Sequence, residues 1–309
     1  MSVATTLGKF LAAGVLAGGA GLAWANYETH QFTLRRFTLP VLPPGTPDLK
    51  VLHISDLHLT PSQADKIAWV RSLAELDPDL VINTCDNMAH RDVLPSLKLA
   101  LEPLTVFPGA FVLGSNDYYA PVKKSPARYL LPDSRAANSP REKDLPWREL
   151  VAHLTAHGWQ DLTNTRAIQV LGDLTIEFAG VDDPHLDRDR YPAPLAGNVR
   201  DNPTLRIGVT HAPYTRVLDQ MHQDGCEVII AGHTHGGQLC IPGYGALVTN
   251  CDLDRKRAKG LHGWPGARPD QGGTDSSWLH VCAGLGTSPF APFRFACRPE
   301  ASLLTLTAR

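Results

Sequence analysis

Two histidines, His233 and His235, lie on a glycine-rich stretch at residues 232–238, between two apolar runs that predict β-strands. Glycine permits tight backbone conformations, and in an extended segment the two imidazoles would point to the same side. Neutral imidazole is the commonest metal ligand in proteins. A histidine pair at this spacing is a weak signal by itself, so a metal site requires further ligands from elsewhere in the chain.

Side chains able to bind metals also follow four other apolar runs, at residues 49–55, 80–84, 110–113 and 205–210. These side chains are Asp56, His58, Asp86, Asn116 and His211. Carboxylates, an amide and imidazoles, without a thiolate, suit a pair of Mn, Fe or Zn ions better than a structural thiolate zinc site. Because structural zinc sites are usually local in sequence, the wide separation favours a catalytic site assembled from several strand ends.

The elements that must position these side chains alternate between strand and helix. The apolar runs at residues 49–55, 80–84 and 110–113 predict strands, and the spacing of apolar residues over 61–76 and 92–101 predicts helices between them. This order predicts a layered α/β fold. In such sheets ligands gather beyond the carboxyl ends of the strands, which is where the polar residues stand.

Composition narrows the class of protein. The chain has 309 residues, of which 43% are hydrophobic and 19% charged, and this composition predicts a folded protein. Its formal net charge of -2 gives no overall positive potential of the kind that attracts nucleic acid. Its six cysteines show no C-x-x-C spacing. Disulfides such as Cys240–Cys251 or Cys282–Cys297 remain open, beside the simpler interpretation that all six are buried thiols.

The N-terminal 30 residues are predicted to be a hydrophobic anchor or signal segment. Their apolar run, residues 10–25, is shorter than the about 20 residues of a membrane span, and residues 23–25 resemble a signal-peptide cleavage site. Trp24 and Tyr27 could instead be interfacial anchors of an uncleaved helix. We expect the protein to be membrane-associated or exported, with the side of the membrane open.

A second distinctive segment is the proline-rich, basic stretch at residues 120–146. Two interpretations stand: a flap that attracts an anionic substrate or lipid headgroups, and a solvated loop.

Together the ordered motifs resemble the calcineurin-like metallophosphoesterase superfamily. They are D-x-H at residues 56–58, a strand followed by Asp86, a strand followed by Asn116, a lone His211, and G-H-x-H at residues 232–235. The resemblance covers nearly all of the chain after residue 48, and residues 232–238, 284–288 and 294–300 resemble a bacterial membrane-associated subgroup. It implies an α/β fold, a four-layer α-β-β-α sandwich of two facing mixed sheets flanked by helices, in a metallophosphoesterase domain at residues 31–309.

The resemblance also implies the roles of the site residues. Two divalent ions, Mn, Fe or Zn, would be held by Asp56, His58 and His235 at the first position and by Asn116, His211 and His233 at the second, with Asp86 bridging. A hydroxide bridging the ions would attack phosphorus in line, without a covalent enzyme intermediate. The implied reaction is hydrolysis of a phosphodiester or phosphoanhydride in a small molecule, lipid or cell-envelope phosphate.

Two positions depart from the family's pattern. Cys85 precedes Asp86 where the family usually has glycine, and Asp117 follows Asn116 where it usually has the histidine that assists the leaving group. Asp117 could act as an acid only with a raised pKa. His90, His185 or a water could replace it. The expected catalytic residues are Asp86, Asn116, Asp117 and His211, and the expected substrate rim comprises Asn87, His90, Tyr118 and His185.

Two alternatives remain at this stage. One is a broad phosphomonoesterase or phosphoprotein phosphatase. The other is a non-catalytic module with a phosphoesterase fold, which the presence of all seven expected ligands argues against. The oligomeric state is not predicted.

Overall fold

The computed structural model describes residues 3–123, 142–195 and 203–309 of the chain. Most of the basic stretch, residues 124–141, lies outside the described residues, so the structure tests neither of its two interpretations.

Two six-stranded sheets form the centre of the molecule. In spatial order, the first sheet contains β1 (Thr33–Leu42), β14 (Glu300–Ala308), β2 (Leu49–Ile54), β3 (Leu80–Asn83), β4 (Gly109–Phe111) and β5 (Gln160–Asp161). The second sheet contains β12 (Gly260–Trp264), β13 (Ser277–Val281), β9 (Val228–Ala231), β8 (Leu205–Thr210), β7 (Leu174–Gly180) and β6 (Arg166–Leu171). A separate hairpin pairs β10 (Cys240–Ile241) with β11 (Gly245–Ala246).

Both sheets are mixed. Strands β2 to β5 run parallel, as do β7, β8, β9 and β13. Antiparallel pairs join β14 to β2, β12 to β13 and β6 to β7. The helices are α1 (Val3–Glu28), α2 (Ala64–Ser72), α3 (Leu94–Leu101), the short α4 (Ser115–Tyr118), α5 (Trp147–Ala156) and α6 (Thr215–Gln223).

Alternation along the strands divides the apolar side chains into layers. On β2, Val51 points into the core between the two sheets, where Ile82 and Phe178 also lie. Its neighbour Leu52 points the other way, onto the outer core that α2, α3 and α5 cover. Helix α6 covers the outer face of the second sheet in the same manner. The four-layer α-β-β-α sandwich is therefore confirmed.

Helix boundaries differ from the predictions by a few residues. The apolar spacing over 61–76 predicts one helix, whereas α2 ends at Ser72 and a 3-10 turn continues to Leu76. The turn ends because Asp77 adopts a left-handed conformation. The predicted helix over 92–101 begins two residues later, at Leu94.

The N-terminal hydrophobic segment is helical, as α1. Among the described residues, no helix combines the length and apolarity that crossing a membrane requires. Leu16, Leu22, Trp24 and Tyr27 on α1 are each at least half exposed.

Candidate metal centre

The expected ligands lie on loops that leave the carboxyl ends of strands in both sheets. Five of them, Asp56, His58, Asp86, His233 and His235, have positive φ angles between 39° and 67°. For residues with a side chain this left-handed backbone costs about 1–3 kcal/mol each, and it persists only where the surrounding structure enforces it. Such strain at five of seven expected ligands is typical of a functional site.

Backbone hydrogen bonds hold two of these loops together beyond the last paired strand residues. The amide of Asp56 donates to the Cys85 carbonyl at 2.6 Å, and the amide of His58 donates to the Asp86 carbonyl at 2.9 Å. The second sheet approaches closely at Gly232, where a Cβ atom would lie 1.9 Å from Ser55 Oγ. The loops are therefore packed as one unit that leaves no room for a side chain at residue 232.

Asp56, His58 and His235 form a first group of donor atoms. Their ligand atoms lie within 4.8 Å of one another. The Nε2 atoms of His58 and His235 are 3.2 Å apart, and His235 Nε2 lies 3.6 Å from Asp56 Oδ1. Asp56 Oδ1 is buried without a hydrogen-bond partner among the described residues. A buried carboxylate oxygen in that state is costly unless a cation satisfies it.

Asp56, Asp86 and His211 form a second group that shares the Asp56 carboxylate. His211 Nε2 lies 3.5 Å from Asp86 Oδ2 and 3.3 Å from Nδ1 of His233. The same Asp86 oxygen is 3.6 Å from His58 Nε2 of the first group. One carboxylate oxygen thus stands between the two groups, the geometry that a bridging ligand requires.

Carbonyl oxygens orient three of the four imidazoles. His211 Nδ1 lies 2.7 Å from the Thr84 carbonyl, His233 Nε2 lies 3.1 Å from the Asn250 carbonyl, and His235 Nδ1 lies 3.1 Å from the Gly286 carbonyl. Because a carbonyl only accepts, His211 Nδ1 carries the proton, whereas His233 Nε2 and His235 Nδ1 also lie 3.3 Å from Asn250 Nδ2 and 3.2 Å from Arg294 Nη2, which only donate. The opposite nitrogen, which faces the site, is left as the ligand atom, an arrangement typical of metal-binding histidines.

Electrostatics also suit cation binding. Burial lowers the pKa of His58 to about 4, despite the opposing field of Asp86, so its imidazole is neutral near pH 7. Burial raises the pKa of Asp86, but His211 outweighs burial and holds that pKa well below its usual range. His211 is correspondingly stabilised in its protonated form, because Asp86 raises its pKa against the effect of burial. A cation binding here must displace that proton.

Asn116 joins the site through a bent backbone. Its φ of -90° and ψ of 24° interrupt the short helix α4. Its amide donates to Asp86 Oδ1 at 2.6 Å, and its side-chain Nδ2 donates to the Tyr119 carbonyl at 2.9 Å. That second bond leaves Oδ1 as the side-chain atom able to bind a metal.

These donors fit a pair of divalent ions. Carboxylate and imidazole atoms converge, Asp56 Oδ1 has no hydrogen-bond partner in the described part of the chain, and a Cβ at Gly114 would lie 2.3 Å from Asp86 Oδ1. The mixture of nitrogen and oxygen donors is compatible with Mn, Fe or Zn and does not distinguish among them.

The environment of Asp117 bears on its expected role as a proton donor. Its side chain is fully buried, Oδ2 accepts from the amides of Asp86 and Gly114, and Oδ1 accepts from the amide of Asn87. Burial, followed by the field of Asp86, raises the pKa of Asp117 to about 7. The pKa is thus in the range that an acid role requires, but both oxygens accept from backbone amides and the side chain does not line the pocket.

A pocket of about 150 Å³ opens over the donor groups. Among the expected rim residues, His185 lines it, and the His185 ring lies 4.5 Å from the His233 ring. Its Nδ1 lies 3.0 Å from the hydroxyl of Tyr214. His185 therefore reaches the rim from the loop after β7.

The other three expected rim residues lie elsewhere. Tyr118 is buried and donates to Asp182 Oδ1 at 2.9 Å, so it packs in the interior. Asn87 is buried and its amide group bonds to Asn83 and Cys85. The side chain of His90 is 52% exposed beside Asp92, outside the pocket lining. These three residues are close to expected ligands in the sequence, but their side chains do not line the pocket.

Cys85 occupies a conformation that suits glycine, with a φ of 60°. Its side chain is buried, and burial raises the pKa of its thiol well above the usual range. Because the thiolate is the reactive form, oxidation at this position is disfavoured. All six cysteines are buried and free.

Arg294 is a component of the site that the sequence analysis did not identify as functional. Its guanidinium is fully buried and donates to the carbonyls of Ala283 at 2.7 Å, Gly286 at 2.8 Å and Gly284 at 3.0 Å. It also lies 3.4 Å from the carbonyl of His235. Arg294 thus joins the loop after β13 to the loop that carries His235.

A buried polar network supports Asp56 from the core between the sheets. Ser55 Oγ donates to Asp56 Oδ2, and Thr84 Oγ1 donates to Ser55 Oγ at 2.6 Å. His53 Nε2 lies 2.9 Å from Thr84 Oγ1, and His53 Nδ1 lies 3.0 Å from Nδ1 of His280. His53 is therefore a hydrogen-bonded core histidine, as its position within a strand predicts.

Comparisons with known proteins agree with this geometry. The sequence model of the family described as calcineurin-like phosphoesterase matches residues 49–237. The uncharacterized metallophosphoesterase YkuE of Bacillus subtilis is 26% identical over 312 residues, covering 96% of this chain and 93% of the relative. UDP-2,3-diacylglucosamine pyrophosphatase LpxG of Chlamydia trachomatis is 27% identical over 343 residues, covering 98% and 97% of the two chains. A transmembrane protein with metallophosphoesterase domain of Bos taurus is 28% identical over 220 residues, covering 64% of this chain and 43% of that one.

Proposed function

Because the chain belongs to the calcineurin-like phosphoesterase family, we propose that it is a hydrolase that uses two divalent metal ions to cleave a phosphodiester or phosphoanhydride. The observation that carries the proposal is the convergence of two donor groups on shared carboxylates, with Asp86 Oδ2 within 3.6 Å of an imidazole nitrogen on each side. A metal site that only stabilised the fold would not require donor atoms from the ends of five strands in two sheets.

The proposed ligands are the seven side chains predicted from the sequence. Asp56, His58 and His235 would hold the first ion, Asn116, His211 and His233 the second, and Asp86 would bridge them. Asp56 belongs to both donor groups, so its carboxylate is able to contact either ion. When bound, such ions supply an activated water and neutralise charge on the phosphoryl oxygens.

The chain's own residues complete the site. The carbonyls of Thr84, Asn250 and Gly286 hold the imidazole rings with their other nitrogen toward the donor groups. His185 stands in the pocket wall, and we assign the contact to the leaving group to it in preference to the buried Asp117.

A lipid-linked phosphoanhydride is the substrate class that we favour. Pro121, Val122, Leu239 and Val248 give the pocket an apolar wall beside the metal ligands His58 and His235. Such a wall suits a substrate with an apolar portion next to its phosphates. The relative named as a UDP-2,3-diacylglucosamine pyrophosphatase, which the chain matches over nearly its whole length, supports the same class. The exposed apolar residues of α1 are consistent with association of the protein with a membrane surface.

Asp86→Asn tests the reaction. The purified full-length protein should hydrolyse bis(p-nitrophenyl) phosphate in the presence of Mn²⁺ or Zn²⁺, and we expect the variant to lose at least about 1,000-fold in rate, since metal-ion charge stabilisation is worth several kcal/mol. Asparagine keeps the oxygen that accepts from the Asn116 amide, so circular dichroism should show an unchanged fold.

Asp77→Asn is the matched control, because the Asp77 side chain is 87% exposed and distant from the pocket lining. Its rate should equal that of the wild type. Full activity of Asp86→Asn, or a wild type that binds no metal in a chelator competition assay, would contradict the proposed function. Parallel assays with p-nitrophenyl phosphate and with a diacylated nucleotide-sugar diphosphate would separate a monoesterase from the favoured class.

A further inference from the structure

A second cavity lies away from the metal centre, where the end of α1 packs against the body of the protein. This groove, of about 430 Å³, is lined by Trp24, Glu28, Thr33, Arg35, Pro242, Lys259, Phe295, Ala296 and Arg298. Its volume is within the range of small-molecule sites. None of these residues lines the pocket over the metal ligands.

The groove carries an excess of positive charge. Glu28 lies within it, but the Glu28 carboxylate is buried and accepts from the amides of Cys297 at 2.8 Å and Ala296 at 3.0 Å. Arg35 is paired with Glu300 at 3.3 Å.

Two basic side chains of the groove have no carboxylate partner among the described residues, although one of them lies beside a cysteine sulfur. Lys259 Nζ contacts Cys297 Sγ at 3.5 Å, and Arg298 is exposed. In the part of the chain that the structure describes, neither is within ion-pair distance of a carboxylate. Half-buried Lys259 and exposed Arg298, neither with a carboxylate partner, are able to receive an anion.

Exposed aromatic and aliphatic side chains surround the same groove. Trp24 in its wall is 50% exposed, and Tyr27 on the next turn of α1 is 54% exposed. Ile241 and Tyr244 flank the groove residue Pro242 on the β10–β11 hairpin, and they are 48% and 60% exposed. Tryptophan and tyrosine beside basic residues are the side chains that membrane-water interfaces favour.

We propose that this groove binds the headgroup phosphate of an anionic phospholipid in a bilayer, with Lys259 and Arg298 as the phosphate ligands and Trp24 at the interface. The proposal rests on the membrane association proposed above and adds to it a site for one lipid class. Charge complementarity selects the occupant, since a neutral membrane would offer no net negative charge to these two cations, which have no carboxylate partner among the described residues.

Vesicle sedimentation of the full-length protein tests the site. Wild-type protein should bind vesicles of phosphatidylcholine with about one third phosphatidylglycerol more tightly than vesicles of phosphatidylcholine alone. The double variant Lys259→Gln/Arg298→Gln should lose that preference, with roughly 30-fold weaker partitioning to the anionic vesicles, as expected for two basic residues at an anionic surface. Lys98→Gln/Arg148→Gln on α3 and α5, which removes the same charge from the outer helical layer, should keep the wild-type preference.

Each alternative has its own outcome. An unchanged preference in Lys259→Gln/Arg298→Gln, with a fold intact by circular dichroism, would refute the site, and so would a wild type without any preference. Displacement of the wild type by soluble glycerol 1-phosphate, beyond that caused by sodium chloride at equal ionic strength, would identify a site for free phosphate and overturn the lipid assignment. Sedimentation needs no turnover, so these results are independent of the hydrolase proposal, and binding to neutral vesicles reports the membrane association separately.

Discussion

Substituting Arg294 tests whether the loop that carries His235 depends on a buried guanidinium. Arg294→Lys keeps the positive charge but replaces a planar fork with a single ammonium group. The fork reaches the carbonyls of Ala283, Gly284 and Gly286 within 3.0 Å through one nitrogen, and those of His235 and Cys297 at 3.4 and 3.3 Å through the other. A lysine cannot satisfy both sets at once.

The size of the effect follows from the carbonyls left without a donor. At least two buried carbonyls lose their partner in Arg294→Lys, and each costs about 1–3 kcal/mol, so the free energy of unfolding should fall by about 2–6 kcal/mol. For a chain of this size, Tm should fall by roughly 3–9 °C. Because Gly286 orients His235, affinity for the first metal ion should weaken about 10–100-fold.

Thermal unfolding with and without Mn²⁺, and competition with a fluorescent chelator, measure the two effects. Arg257→Lys is the matched control, since Arg257 also donates to two carbonyls, of Pro265 at 2.7 Å and Gly266 at 3.2 Å, but in an exposed region where water can replace it. The control should lose less than about 1 kcal/mol. If Arg294→Lys matched the control in both stability and metal affinity, the positioning role of Arg294 would be refuted.

Two further predictions concern the pocket wall and a buried lysine. His185→Gln should slow hydrolysis of phosphodiesters with poor leaving groups by about 100-fold or more while changing the p-nitrophenyl reaction little, and an equal effect across a series of leaving groups would remove His185 from that role. Burial, followed by the field of Arg294, lowers the pKa of Lys66 to about 7 from 10.5, so between those values the unfolded chain binds more protons and the free energy of unfolding rises with pH. Lys66→Met should flatten that rise in urea unfolding at neutral and alkaline pH, and an unchanged slope would show that Lys66 does not cause it.

The layered fold and the convergence of the proposed metal ligands could be predicted because both depend on local patterns. Each strand is a short apolar run, and a ligand follows its carboxyl end within a few residues, as Asp56 follows β2 and His211 follows β8. Neighbouring parallel strands have their carboxyl ends at the same edge of the sheet, so the residues that follow those ends lie close together. The sequence therefore identifies the residues that converge without any knowledge of the distances between them.

The parts that could not be predicted depend on contacts between distant loops. Asn250 and Gly286 support the histidines through backbone carbonyls, which any residue type supplies, and the Arg294 guanidinium donates to the Gly286 carbonyl across the fold. Asp117 has a side chain suited to acid catalysis, yet three backbone amides occupy its carboxylate. Tyr118 was expected at the substrate rim because it is close to Asn116 in the sequence, but the one-turn helix α4 directs its ring into the interior.

The last turn of α1 bears on how this protein could be shortened or matured. The Ala25 carbonyl accepts from the Arg294 amide at 2.8 Å, and Glu28 holds the amides of Ala296 and Cys297. Cleavage after residue 25 would remove Trp24 yet leave Glu28 as the third residue of the mature chain, still able to hold that segment. A chain that starts at residue 31 would lack it, and the backbone that carries Arg294 would have two amides without their carboxylate. A shortened protein for crystallisation should therefore begin no later than Asn26.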